Sequence, residues 1–107
     1  MSKPSPSFAP VYAAALYPDL ARIARSHGYA LAVHGSLQRD FDLIAIPWAE
    51  GVTTHEAMIA AIEAEFALRR IGEPERKPNG RVAYTLAVGF GECAIDLQFT
   101  PFARSSQ

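Results

Sequence analysis

The sequence predicts one α+β domain with a mixed or antiparallel β-sheet of about four strands and two main helices packed on it. Two segments carry apolar residues at helical spacing, and four shorter segments are apolar or alternate with a period of two. Their order is helix, strand, strand, helix, strand, strand, which is typical of an α+β domain. A chain of 107 residues is long enough for one modest core and too short for two.

The first half of the domain is predicted to be one helix followed by two strands. Apolar residues recur at helical spacing, and Gly28 stands where a C-terminal cap belongs. Pro47 ends the second strand because proline cannot donate to a sheet ladder. The predicted elements are a flexible leader over 1–9, a helix over Pro10–His27, and strands over Tyr29–Val33 and Phe41–Ile46.

The second half is predicted to be one helix followed by two strands. Thr53 as N-cap with Glu56 three residues later has the pattern of a capping box. Met58, Ile62 and Phe66 then follow at helical spacing as core positions. The predicted elements are a helix ending near Ile71-Gly72, a polar segment over 73–80, and a hairpin of strands over 81–88 and 92–100. With a frayed tail predicted over 103–107, the single domain covers 10–102.

Composition excludes several classes of protein. Half of the residues are hydrophobic and the net charge is −1, which argues against a disordered chain and against a non-specific nucleic-acid coat. The single cysteine, Cys93, excludes an internal disulfide and a cysteine-based zinc finger, and its flanking pattern predicts a buried strand position. No apolar run approaches the roughly 20 residues that span a bilayer, so we expect no membrane partner and a cytoplasmic location.

One stretch carries most of the functional information. Gly35-Ser36 is followed closely by Asp40-Phe41-Asp42-Leu43. A Gly-Ser turn offers backbone N–H groups and a hydroxyl to a phosphate. Two acids spaced i, i+2 on a strand point to the same face, where both can hold one cation. A phosphate site beside paired carboxylates is the arrangement that nucleotidyl transfer requires.

A third acid lies on the last predicted strand. Asp96 is flanked by Ile95 and Leu97, so its carboxylate needs a partner. If this strand neighbours the one that begins at Phe41, Asp96 joins Asp40 and Asp42 in a three-carboxylate site. Mg²⁺ binds to a few carboxylates together with waters and substrate phosphates, which such a site would supply.

These motifs resemble the signature of the DNA polymerase beta-like nucleotidyltransferase superfamily. His34-Gly35-Ser36, the acid pair Asp40 and Asp42, and Asp96 in a later apolar strand follow the order of its motifs. The resemblance extends from about Tyr29 to Thr100 and is closest to small stand-alone members, including phage-encoded ones. It implies a nucleotidyltransferase-like fold and transfer of a nucleoside monophosphate from an NTP to an acceptor that the sequence does not identify.

The resemblance also implies roles for individual residues. Gly35 and Ser36 would hold the triphosphate, and Asp40 and Asp42 would bind Mg²⁺ or Mn²⁺. Asp96 would complete the metal site and help to activate the attacking hydroxyl. From their charge and position, we expect further phosphate contacts from Arg39, Lys77 and Arg81.

The chain departs from the family in two respects, which leaves a second function open. Only Leu37-Gln38-Arg39 separate Ser36 from Asp40, whereas the family has a longer connection with a helical turn. The additional helical domain that binds base or acceptor is also missing. The alternative is therefore a degenerate, non-catalytic binding or interaction module. A homodimer or a partner chain could complete the site, with contacts near Phe90, Phe99 and Phe102.

Each candidate residue also has a purely structural interpretation. The acid pair could lie in a solvated turn, and Asp96 could pair with Arg81 across the hairpin. His34 could contact a phosphate or serve the loop structurally, and Trp48 could stack a base or cover the core. The Lys77–Arg81 turn could be a solvated loop.

Overall fold

The structure, a computed structural model, describes residues 9–88 and 93–101. It contains two helices and five strands in the order α, β, β, α, β, β, β. The predicted leader (apart from Ala9), the loop between the last two strands and the tail lie outside the described residues. The elements are α1 (Ala9–Ser26), β1 (Tyr29–His34), β2 (Phe41–Pro47), α2 (His55–Glu65), β3 (Arg69–Arg76), β4 (Val82–Val88) and β5 (Cys93–Phe99).

All five strands form one mixed sheet in the order β1-β2-β5-β4-β3. The β2–β5 pair is parallel, and the other three pairs are antiparallel. The predicted α+β class and mixed sheet are therefore confirmed, with five strands instead of about four. Between β2 and β5 the chain passes through α2, β3 and β4, so β5 can return beside β2 in the same direction. The strand order places this parallel pair near the centre of the sheet.

One face of the sheet forms the core. In β2 and β5 the buried residues alternate with partly buried ones, as expected for strands with one covered face. Both helices contribute to the same cluster of buried side chains, so they cover the same face of the sheet. Cys93 is buried there, as its flanking pattern predicted. The largest fully buried side chains are Phe41, Phe99, Leu20, Leu43, Met58, Ile59, Ile62, Leu86, Ile95 and Leu97.

The opposite face, which we call the open face, carries Asp42, Ile44, Asp96 and Gln98. These side chains are only partly buried, and no helix of the described residues covers them. The open face therefore places the predicted acids outside the core, where a bound molecule can reach them.

The prediction that the second helix extends to Ile71-Gly72 is wrong. The polar segment over 73–80 is part strand and part turn: residues 73–76 belong to β3, and residues 77–80 form the turn that leads to β4. The helix ends at Glu65, and Phe66 already has an extended backbone with φ −125° and ψ 160°. The next residues form β3, an edge strand exposed along almost its whole length. Such a strand has no buried face, so it leaves no alternating pattern in the sequence. Pro74 and an irregular register between Ile71 and Glu75 weaken the pattern further.

An ion-pair network holds β3 near α2. The Arg70 guanidinium donates to Glu63 and Glu56 of the helix, and the Arg70 backbone N–H also donates to Glu63 at 3.1 Å. The Tyr84 hydroxyl donates to the other oxygen of Glu56 at 3.1 Å. These contacts join α2, β3 and β4. They hold the polar residues of β3 in place beside β4, with which β3 pairs.

The N-cap of α2 is Thr54 and not Thr53. The Thr54 hydroxyl accepts a hydrogen bond from the Ala57 N–H at 3.1 Å. The Thr53 hydroxyl instead donates to the Thr54 carbonyl at 3.2 Å. Because the helix starts one residue later than expected, Glu56 cannot close a capping box and is free to bind Arg70 and Tyr84.

The position of the cap can be tested by two matched threonine substitutions. We expect Thr54→Ala to lower the free energy of unfolding by about 1 kcal/mol, because the Ala57 N–H loses its partner. Thr53→Ala should change it by less than ~0.5 kcal/mol, since it removes no cap. Urea denaturation followed by circular dichroism measures both values. Equal losses would contradict the assignment.

Candidate functional site

A row of four side chains crosses the open face along the sheet register. His34 of β1 is opposite Asp42 of β2, and Asp42 is level with Asp96 of the parallel strand β5. Asp96 is in turn opposite Thr85 of β4. Directly opposed residues share a face and have close Cβ atoms, so the two predicted acids on neighbouring strands are brought together.

The surroundings of Asp42 disfavour its charged form. Burial raises its pKa above the ordinary value of 3.8, and the nearby Asp96 and Asp40 raise it further, against an opposing effect of His34. No hydrogen bond to the Asp42 carboxylate exists within the described residues. A negative charge at Asp42 is therefore destabilised by its surroundings, which a bound cation would reverse.

Gly35 lies directly against Asp42. It has a φ of +80°, and a methyl group in place of its hydrogen would overlap Oδ2 of Asp42. Glycine is therefore required at this position both for the backbone conformation and for the space that the carboxylate occupies. The two halves of the predicted motif, the Gly-Ser turn and the second acid, meet at this contact.

The turn between β1 and β2 contains no helical residues. Residues 35–40 form a series of bends, and Leu37 also has a positive φ of 59°. The Ser36 hydroxyl accepts a hydrogen bond from the Gln38 N–H at 3.3 Å, which leaves its own O–H available to a ligand. Arg39 and Asp40 are exposed at the end of the turn. Asp40 thus lies beside the row and not within it.

Asp96 is linked to Arg81 through one intervening side chain. Gln98 donates from Nε2 to Oδ2 of Asp96 at 3.3 Å, and its Oε1 accepts from Nη1 of Arg81 at 3.4 Å. A direct Asp96–Arg81 pair is not formed, and the Asp96 carboxylate has no salt bridge within the described residues. Arg81 precedes β4 and is four residues from Thr85 of the row, so it reaches the acids only through Gln98.

Lys77 lies apart from these residues. It follows β3, at the edge of the sheet opposite β1, and its Nζ pairs with Glu75 at 3.2 Å. Four strand spacings separate β1 from β3, which is about 19 Å. The strand order therefore does not bring Lys77 to the Gly35-Ser36 turn.

The donor set can be compared with what a divalent cation needs. Within residues 9–88 and 93–101, no three His, Cys, Asp or Glu side chains stand where they could hold one metal ion together. Two carboxylates on adjacent strands, Asp42 and Asp96, remain as the best protein ligands. That number fits Mg²⁺, which commonly takes one or two carboxylates and completes its octahedron with water and substrate phosphates.

His34, Thr85 and Gln98 also belong to this site, although only His34 was considered from the sequence. The Nε2 atom of His34 is buried and has no hydrogen-bond partner in the described structure. Thr85 and Gln98 come close to Asp96 only through the β4–β5 register and through side-chain contact. No local pattern signals either residue, because both are ordinary polar residues of a strand.

Comparison with protein families, with curated proteins and with solved structures finds no match for this chain. The function must therefore be argued from the site itself. A search of the described helices finds none that is long and apolar enough to cross a membrane.

The Gly35–Asp42 contact can be tested with a second glycine as control. Gly72 also has a positive φ, of 69°, but has open space around it. We expect Gly72→Ala to cost about 1 kcal/mol of stability for the backbone conformation alone. Gly35→Ala should cost clearly more, because it also displaces the Asp42 carboxylate. Chemical denaturation measures the difference, and equal losses would refute the contact.

The charge of Asp42 should reduce the stability of the metal-free protein. Because its pKa is raised in the folded state, the penalty is fully present above that pKa and is relieved as pH falls towards 3.8. We therefore expect Asp42→Asn to raise the melting temperature at pH 7 in EDTA, with an advantage that shrinks as the pH approaches 4. A scanning calorimetry series from pH 7 to 4 checks this, and a less stable variant at pH 7 would contradict it.

Proposed function

We propose that this protein is a divalent-metal-dependent nucleotidyltransferase that transfers a nucleoside monophosphate from an NTP to an acceptor. The observation that supports this most directly is the register of β2 and β5, which sets Asp42 level with Asp96 beside the Gly35-Ser36 turn. Two adjacent carboxylates, beside a turn that has a free hydroxyl and exposed backbone, fit the charge of a metal–triphosphate complex.

Each residue would have a distinct task in this reaction. The turn at Gly35 and Ser36 would bind phosphate oxygens through backbone N–H groups and the free hydroxyl, with Arg39 as a further cation. Asp42 and Asp96 would hold Mg²⁺ or Mn²⁺, with Asp40 at the edge of the site. The metal would neutralise charge on the phosphates and orient them for in-line attack. Asp96 would accept the proton of the attacking hydroxyl.

One observation favours a second candidate, a non-catalytic nucleotidyltransferase-like module that binds a ligand or a partner. Residues 35–40 lack the helical turn that the family uses in this connection. Without a helix N-terminus, the turn offers fewer aligned N–H groups to a triphosphate. A partner chain or a second copy of this chain could supply the missing N–H donors.

Calorimetric titration of the full chain with non-hydrolysable NTP analogues tests the proposal. With Mn²⁺ or Mg²⁺ present, we expect heat of binding that disappears in EDTA. Asp42→Asn should weaken binding by at least the roughly 10–100-fold that the loss of an outer-shell metal contact costs. Asp19→Asn is the matched control, because Asp19 is an exposed acid of α1 whose one ion pair within the described residues is with Arg22.

The outcomes separate the two candidates. Metal-dependent binding that Asp42→Asn removes and Asp19→Asn preserves supports the transferase site. No metal-dependent heat of binding with an analogue of ATP, GTP, CTP or UTP favours the non-catalytic module. Unchanged binding in Asp42→Asn would refute the role of the carboxylate pair. A loss of binding supports that role, since the expected stability of this variant excludes unfolding as its cause.

A further inference from the structure

A cavity lies at the β1 edge of the sheet and contains none of the residues of the candidate site on the open face. It has a volume of about 250 Å³ and lies between α1, β1 and the residue that follows β2. Tyr17, Tyr29 and Trp48 provide aromatic walls, Arg25 provides the one charged group, and two alanines leave the space open. We call it the Trp48 cavity.

The aromatic walls are held in place by hydrogen bonds. The Tyr17 hydroxyl donates to the Leu31 carbonyl at 2.6 Å, and the Tyr29 hydroxyl donates to the Thr53 carbonyl at 2.8 Å. Trp48 is anchored through its backbone N–H, which donates to the Gly28 carbonyl at 3.1 Å. Its side chain nevertheless remains 63% exposed. A large aromatic ring fixed at its backbone and open to solvent is suited to stacking against a planar ligand.

Arg25 gives the cavity a positive charge that the protein does not neutralise. Within the described residues its guanidinium has no ion pair and no hydrogen bond. The neighbouring cation on the same helix, Arg22, instead pairs with Asp19 and Glu65. An unpaired guanidinium at the rim of an aromatic cavity favours an anionic ligand, and it can bind a phosphate in bidentate geometry.

The edge of β1 adds backbone hydrogen-bonding groups. Gly28 bonds to Trp48, and β1 pairs with β2 in antiparallel register from there on. Because bonding alternates along an antiparallel strand, the N–H groups of Tyr29 and Leu31 point away from β2. The Leu31 carbonyl on this edge already accepts from Tyr17, so what the edge can offer is N–H donors, to acceptor groups on the rim of a flat polar ring. Nucleobases carry such groups, whereas simple aromatic acids do not.

We infer that the Trp48 cavity binds a nucleoside monophosphate, with the base stacked on Trp48 and the phosphate on Arg25. The volume lies just below the roughly 300–1,000 Å³ of typical small-molecule sites, and because the cavity is open to solvent, part of the nucleotide can extend over its rim. The inference does not depend on the proposed transferase activity, because it uses neither a metal nor the open face.

Trp48 is the only tryptophan of the chain, so its fluorescence reports on this cavity alone. We would titrate the full chain in EDTA with AMP, UMP, adenosine and inorganic phosphate. We expect saturable quenching by both monophosphates, with adenosine binding about tenfold more weakly than AMP. Arg25→Gln should weaken AMP binding about tenfold or more. Arg22→Gln, which removes the same charge from the same helix, should leave it unchanged.

Several results would overturn the inference. These are the absence of quenching by the monophosphates, equal affinities for AMP and adenosine, or equal effects of Arg25→Gln and Arg22→Gln. Calorimetry with Trp48→Ala gives a second measurement, in which AMP binding should be lost while the circular dichroism spectrum is retained. A metal-independent signal here combined with no binding at the open face would refute the proposed transferase function alone. The reverse pattern would refute this inference alone.

Discussion

The parallel pairing of β2 with β5 is the contact on which both the core and the candidate site depend. Its register sets Phe41 level with Ile95 and Asp42 level with Asp96. Because side chains alternate along a strand, the same register buries Phe41 and Ile95 and leaves the two acids on the open face. A slip of one residue would send carboxylates into the core, so the hydrophobic effect that stabilises the fold also fixes the geometry of the site.

The open face carries an electrostatic cost that the rest of the protein must offset. Asp42 is partly buried, lies near two other carboxylates and rests against Gly35 without a hydrogen bond in the described structure. Folded proteins retain such arrangements chiefly at functional sites, where strain and charge serve binding. The offset comes from the other face of the same strands, where large apolar side chains are fully buried.

The two edges of the sheet are protected differently. The edge strand β3 is exposed, charged and irregular, and it contains Pro74, features that discourage pairing with other chains. The other edge strand, β1, lies beneath Tyr17 and next to Trp48, which leave a cavity and not a closed surface. This contrast is the reason that the β1 edge, and not the β3 edge, is the better place to expect a ligand.

The sequence by itself determined the elements that have a buried face: α1, β1, β2, the body of α2, β4 and β5. It also determined which face of β2 and β5 carries the acids, because the period of the hydrophobic pattern fixes both. Only the tertiary structure decided the position of β3, the cap at Thr54, the link from Asp96 through Gln98 to Arg81, and the separation of Lys77 from the turn. Apart from the cap, which is a contact between residues three apart, these features arise from contacts between residues far apart in the chain. An exposed edge strand or a side-chain network leaves no periodic signal in the sequence.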